Sequence, residues 1–171
     1  MLRKLFSALG LATVFAFGVV AAPGAGLAGP LTLTDADPIA VVTVPDAWPS
    51  SKIARGIEFK TPDDEIYVWF EVVAPGEIDA LQKEHNGYFD KEGVKITGSS
   101  ETTKKEINGR AWSFTELKAN SKDGDSIIRY VAINPNVASG KIIMMTYWAS
   151  LEGHQEHDAA MTKIFNSIAF K

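Results

Sequence analysis

Lys141-Ile142-Ile143-Met144-Met145-Thr146-Tyr147-Trp148-Ala149 is apolar on both alternating sets of a strand. Ile142, Met144 and Trp148 point one way; Ile143, Met145 and Tyr147 point the other. A strand with one wet face alternates apolar with polar residues, whereas one that is apolar on both faces must be covered on both. This stretch therefore predicts a strand of a sheet covered on both faces.

The flanking sequence supplies the rest of that sheet. Ser126–Ile133 reads as the preceding strand, joined through the turn Asn134-Pro135-Asn136. Before it, Arg110–Ala119 carries Trp112 and Phe114 on one face and ends in the polar turn Asn120–Asp125. Asn108-Gly109 is the strongest two-residue hairpin signal in the chain and ties Thr102–Ile107 to Arg110–Ala119, with Val94–Thr97 ahead of them. Further upstream, Gly56–Lys60 and Ile66–Val73 form a hairpin around Thr61-Pro62-Asp63-Asp64, and the β-branched Ile39–Val44 closes at Pro45. Leu31–Thr34 is an extended start that turns at Asp35-Ala36-Asp37-Pro38.

Two helices interrupt the strands. Ile78, Leu81, His85, Tyr88 and Phe89 recur at steps of three and four, with Glu77 and Asp79 at the positive end of the dipole. Gly87 weakens this helix by about 1 kcal/mol relative to alanine, and Gly93 is placed to end it. The closing helix is predicted from about His154 to Ser167, with Ala160, Met161, Ile164, Phe165 and Ile168 as its apolar stripe. The order is strands, a helix, several antiparallel strands and a final helix, which indicates α+β rather than alternating α/β. The expected architecture is an antiparallel β-sheet flanked by helices on both faces, an α/β/α sandwich.

This order resembles the PsbP-like fold of the photosystem II extrinsic protein PsbP and of secreted bacterial relatives such as DcrB. The features that carry the resemblance are a strand closing in Val44-Pro45-Asp46-Ala47-Trp48, the hairpin ending at Val73, and the ending Ser167-Ile168-Ala169-Phe170-Lys171. It spans residues 39–171 and implies an accessory or binding role with no catalytic residues to carry over. Nothing in the sequence points to a photosystem.

The first 28 residues have the layout of a secretory signal peptide: Arg3 and Lys4, an uncharged apolar run from Leu5 to Val20, and small residues at Gly26-Leu27-Ala28. The run of about 16 residues is shorter than the roughly 20 of a permanent span, and no second run of that length follows. We expect cleavage near Ala28, leaving one domain over 29–171. No internal repeat or linker divides it. Losing Arg3 and Lys4 takes the net charge from −4 to about −6, a surface with no footprint for nucleic acid or anionic lipid. Cysteine is absent, which excludes thiol catalysis, thiolate metal sites and a lipidated anchor, and favours a bacterial periplasm over a disulfide-rich secreted setting.

Candidate chemistry is sparse. Gly24-Ala25-Gly26-Leu27-Ala28-Gly29 matches the dinucleotide fingerprint in letters, but an apolar leader precedes it and Pro30 follows it, where a strand and a helix are needed. His154, His157 and Asp158 share one face of a helix by spacing and offer two imidazoles and a carboxylate to zinc, copper or manganese; acidic residues in a first helical turn explain the same cluster through the dipole alone. His85 lies within the apolar stripe of the first helix, as a core-edge histidine or as a base or ligand brought in by folding. Asp63-Asp64-Glu65 and Asp123-Gly124-Asp125 lack the oxygen ladder and distal Glu of a calcium loop. Trp48, Trp69 and Trp112, with Trp148 beside them in the inventory, are candidates for the apolar wall of a ligand groove, core packing being the alternative. There is no G-x-S-x-G, H-E-x-x-H or Walker motif.

The sequence thus predicts a non-catalytic exported binding or accessory protein, without a cofactor, whose partner is an envelope protein or a small ligand. The alternatives are a small metal-dependent hydrolase built on His154, His157 and Asp158 with His85, and a structural component of an envelope complex.

Overall fold

The computed structural model describes residues 30–34 and 37–171. The expected leader, its cleavage position and the glycine motif at 24–29 lie outside them. In chain order the elements are β1 Leu31–Leu33, β2 Ala40–Val42, β3 Ser50–Ile53, β4 Gly56–Lys60, β5 Ile66–Val73, α1 Ile78–Lys91, β6 Lys95–Ser99, β7 Thr103–Ile107, β8 Arg110–Ser121, β9 Gly124–Ile133, β10 Ile142–Ser150, α2 Leu151–Glu156, α3 Asp158–Asn166 and β11 Ala169–Phe170.

An eight-stranded sheet runs β3-β4-β5-β10-β9-β8-β6, with β7 also paired to β8, and every pairing in it is antiparallel. β10, the doubly apolar strand, lies between β5 and β9. A second sheet, β1-β2-β11, has three short strands. The Asn108-Gly109 turn has φ of 52° and 71°, the left-handed pair a type I′ hairpin demands. α1 ends as its sequence predicts: Gly93 takes φ 73° and the Val94 N–H reaches back to the Phe89 carbonyl.

Ile143 and Met144 are adjacent in β10, face opposite sides, and are both buried. They belong to different cores. Ile143, Met145 and Tyr147 join Leu33 and Val42 of the small sheet and Met161 and Ile164 of α3. Met144 and Trp148 join Leu81 and Phe89 of α1. The molecule is α+β and mostly antiparallel sheet.

The differences from expectation have local causes. β3 is polar and exposed, so its apolar pattern gives no signal, yet it pairs with β4. The predicted closing helix is two: His157, at φ −98° and ψ 7°, separates α2 from α3. β11 has only two residues and exists because β2 offers it an edge.

Candidate functional site

The register of the large sheet builds the site. Glu58 stands opposite Trp69, Trp69 opposite Thr146, and Thr146 opposite Tyr130, so one row of one face carries a carboxylate, an indole, a hydroxyl and a phenol. The neighbouring row sets Glu71 opposite Met144. α1 crosses this face and lowers His85 onto it. The imidazole stacks on Tyr130 at 6.2 Å and lies 6.0 Å from the Trp69 ring.

Glu71 is a carboxylate in a strand that is otherwise buried at Phe70, Val72 and Val73. Unpaired, such a charge is costly. Arg55, from the β3–β4 turn, approaches Glu71 Oε1 with Nε at 3.1 Å and Nη2 at 3.0 Å, and Nη2 also reaches Glu84 Oε1 of α1 at 2.8 Å. The hydrogen bond from Arg55 is the main cause holding the Glu84 carboxyl below its ordinary value, and the same bond raises Arg55. His85 Nε2 lies 2.8 Å from Glu71 Oε2, although the approach is too bent for an aligned hydrogen bond and leaves that oxygen without one among the described residues. On its other side His85 Nδ1 lies 3.1 Å from Thr146 Oγ1. A carboxylate accepts only, so Nε2–H faces Glu71 and Nδ1 accepts from the threonine.

Beside this network a cleft of about 520 Å³ opens between α1 and β3–β5, walled by Tyr67, Trp69 and Tyr88 and bordered by Glu58, Lys60 and Glu84. A second recess of about 260 Å³ reaches Arg55 and Glu71, and Trp69 and Glu84 border both. Trp69 stacks on Tyr67 at 6.3 Å and meets Tyr88 edge-on at 5.8 Å. Lys60 is tied to Asp64 at 2.6 Å and lies 3.5 Å from the Tyr67 hydroxyl.

Of the tryptophans expected to line a groove, Trp69 does so. Trp48 and Trp112 are buried in the core that contains α3, packed on Phe59 and Phe114 respectively, and Trp148 is fully buried. Trp48, Trp69 and Trp112 therefore do not assemble into one wall, because Trp48 and Trp112 belong to the other core.

His154, His157 and Asp158 are likewise not brought together, since the helix their spacing assumes breaks at His157. Arg129 Nη2 lies 3.3 Å from His154 Nε2, which must accept because a guanidinium only donates; Nδ1–H then donates to the Tyr147 hydroxyl at 3.0 Å. Burial first, and the Arg129 charge second, lower the His154 pKa, which fits a neutral ring. His157 Nε2 donates instead to Asp63 Oδ2 at 2.8 Å, and Asp63, Glu156 and His157 each offer a ligand atom within 4.8 Å of the others. The Asp63-Asp64-Glu65 turn is closed by a bond from the Glu65 N–H to Asp63 Oδ1 at 3.1 Å, and Asp123-Gly124-Asp125 caps the β8–β9 hairpin.

Sequence reading missed Glu71, Arg55, Glu84 and Glu58. One signal was present: a lone carboxylate inside the apolar run Ile66–Val73.

No family model matches the chain, and no curated protein sequence matches it. Among solved structures it is similar to the solution structure of cyanobacterial PsbP (CyanoP) from Synechocystis sp. PCC 6803, with a TM-score of 0.56 and 10% identity over 88% of this chain and 98% of that one. It is also similar to the crystal structure of the Saccharomyces cerevisiae Ran-binding protein Mog1p, with a TM-score of 0.48 and 7% identity over 83% of this chain and 95% of that one. At such identity the first likeness shows the fold, which is PsbP-like. No helix among the described residues is long and apolar enough to cross a membrane.

Proposed function

We propose that this chain is an exported, non-catalytic binding or accessory protein and that the cleft between α1 and β3–β5 receives its ligand. The observation that carries the reading is the aromatic cleft of about 520 Å³, a size suited to a small molecule. The groups around it are already tied to one another, Arg55 with Glu71 and Glu84, His85 with Thr146, and Lys60 with Asp64. Such groups hold a shape, and the hydroxyl beside the His85 imidazole, that of Thr146, is fully buried. α1 on one side, and α3 with the small sheet on the other, support the finer reading of an α/β/α sandwich.

Export rests on Arg3, Lys4, the apolar run and the small residues before Gly29. Cleavage after Ala28 gives an intact mass beginning at Gly29, and a periplasmic chain still beginning at Met1 refutes it.

The test of binding is a thermal-shift screen of small molecules, run beside a mild-crosslinking pull-down from periplasm, on wild type and Trp69→Ala. A ligand or partner lost in Trp69→Ala supports the cleft. Binding unchanged in that variant places the site elsewhere. A second reading, a metal-dependent hydrolase, draws on the convergence of Asp63, Glu156 and His157. Stoichiometric metal in untagged protein, with turnover lost in His157→Ala, would establish it.

A further inference from the structure

We infer that the cleft is selective for a small organic cation of the alkylammonium class, an inference that rests on reading the cleft as the binding site. Aromatic faces carry negative potential and attract cations, most strongly when water is excluded. Trp69, Tyr67 and Tyr88 put three rings on the walls, two of them at a 72° angle to one another. Among the described residues the one ammonium at the rim, Lys60 Nζ, is engaged with the Tyr67 hydroxyl at 3.5 Å and with Asp64, which leaves the ring faces to a ligand.

The charges around the rings set the sign. Lys60 is neutralised by Asp64, and Glu84 shares the single charge of Arg55 with Glu71. Glu58 is different. It accepts from the Ser51 hydroxyl at 2.7 Å and, among the described residues, no lysine or arginine lies in ion-pair range of it. It stands next to Trp69 in the sheet and its charge reaches the phenols: burial chiefly, then the charges of Glu92 and Glu58, push the Tyr88 hydroxyl up to about 12. An anion entering the cleft meets Glu58 and Glu84 and, among the described residues that line it, no unpaired cation. A hard metal ion meets one free carboxylate where calcium asks for six to eight oxygens. A cation with an apolar coat satisfies both the rings and Glu58.

The test follows the Trp69 indole N–H by NMR, assigned with Trp69→Phe, while the protein is titrated with choline and with its neutral isostere 3,3-dimethylbutan-1-ol. We expect saturable choline binding, the isostere at least about tenfold weaker, and choline weakened roughly tenfold in Glu58→Gln with isostere binding and melting temperature unchanged. A parallel arm offers phosphatidylcholine vesicles. Glu58-dependent co-sedimentation makes a lipid headgroup the source of the ammonium, and binding of choline alone makes it a free solute. Equal affinity for choline and isostere, or indifference to Glu58→Gln, overturns the cation while leaving an apolar ligand site intact. No shift with choline also overturns it; the cleft itself falls only if the wider screen finds nothing that depends on Trp69.

Discussion

His85 Nε2 and Glu71 Oε2 stand 2.8 Å apart beneath α1, joining a helix to the middle of the large sheet through a carboxylate that is 3% exposed. The contact makes α1 more than an apolar lid. It sets an imidazole of α1 against a buried carboxylate of β5. Arg55 holds the other oxygen of the same carboxylate, so turn, strand and helix meet at one residue.

The two partners of that carboxylate are not equivalent to lose. Arg55→Met leaves Glu71 buried with its main cation gone, whereas Glu71→Gln leaves an arginine that can still turn to Glu84 and water. We expect Arg55→Met to cost about 2 kcal/mol and Glu71→Gln about 1 kcal/mol, read by chemical denaturation. The reverse order would show that the burial of Glu71 does not govern the network.

His154 sets a pH dependence. Its folded pKa lies below the ordinary 6.5, so the unfolded chain takes up a proton first as the solution is acidified. Stability should be fully present above pH 6.5 and should fall as pH drops from there toward the lower folded value. His154→Gln should flatten that part of the curve. A melting temperature with the same slope between pH 7 and 5 in both proteins would exclude His154 as the source.

Two glycines should respond in opposite directions. A Cβ on Gly56 would run into the Phe70 carbonyl oxygen across the β4–β5 ladder, so Gly56→Ala should cost about 1–3 kcal/mol. A Cβ on Gly87, inside α1, meets nothing within 4 Å, and Gly87→Ala should stabilise by about 0.5–1 kcal/mol. Thermal melts of the two variants decide both points.

Ile143→Asp and Met144→Asp should each cost several kcal/mol, because each places a carboxylate without a partner in a separate core. In a domain of roughly 5–15 kcal/mol total stability both should melt well below wild type. If one of them melts like wild type, that side of β10 is open to water.

Much of this frame is legible in the sequence. β4 and β5 take their predicted bounds because the Thr61–Asp64 turn and the apolar alternation agree. α1 follows its three-and-four spacing, and Asn108-Gly109 gives its hairpin. What escapes is what distant residues decide. β3 and β11 are strands only because β4 and β2 lie beside them, and the break at His157 follows no glycine or proline signal. The site is harder still: Arg55, Glu71 and Glu84 are brought together by the β3–β4 turn, β5 and α1, and no local motif connects them. His85 shows the limit well, since its place in the apolar stripe is readable while its carboxylate partner is not.

The place of β10 between β5 and β9 has a consequence for how the chain comes together. A polypeptide that has emerged only as far as residue 141 has both neighbours of the missing strand made but facing each other across a gap, each a row of unpaired backbone groups. β11, closing onto β2, comes later still, with Ser167 Oγ accepting from the Thr43 N–H across 124 positions of sequence. Early hairpins can form and dissolve, but the large sheet cannot seal until residues 142–150 arrive. Residues 142–171 are therefore a latch, and a ribosome that withholds them keeps the large sheet unsealed.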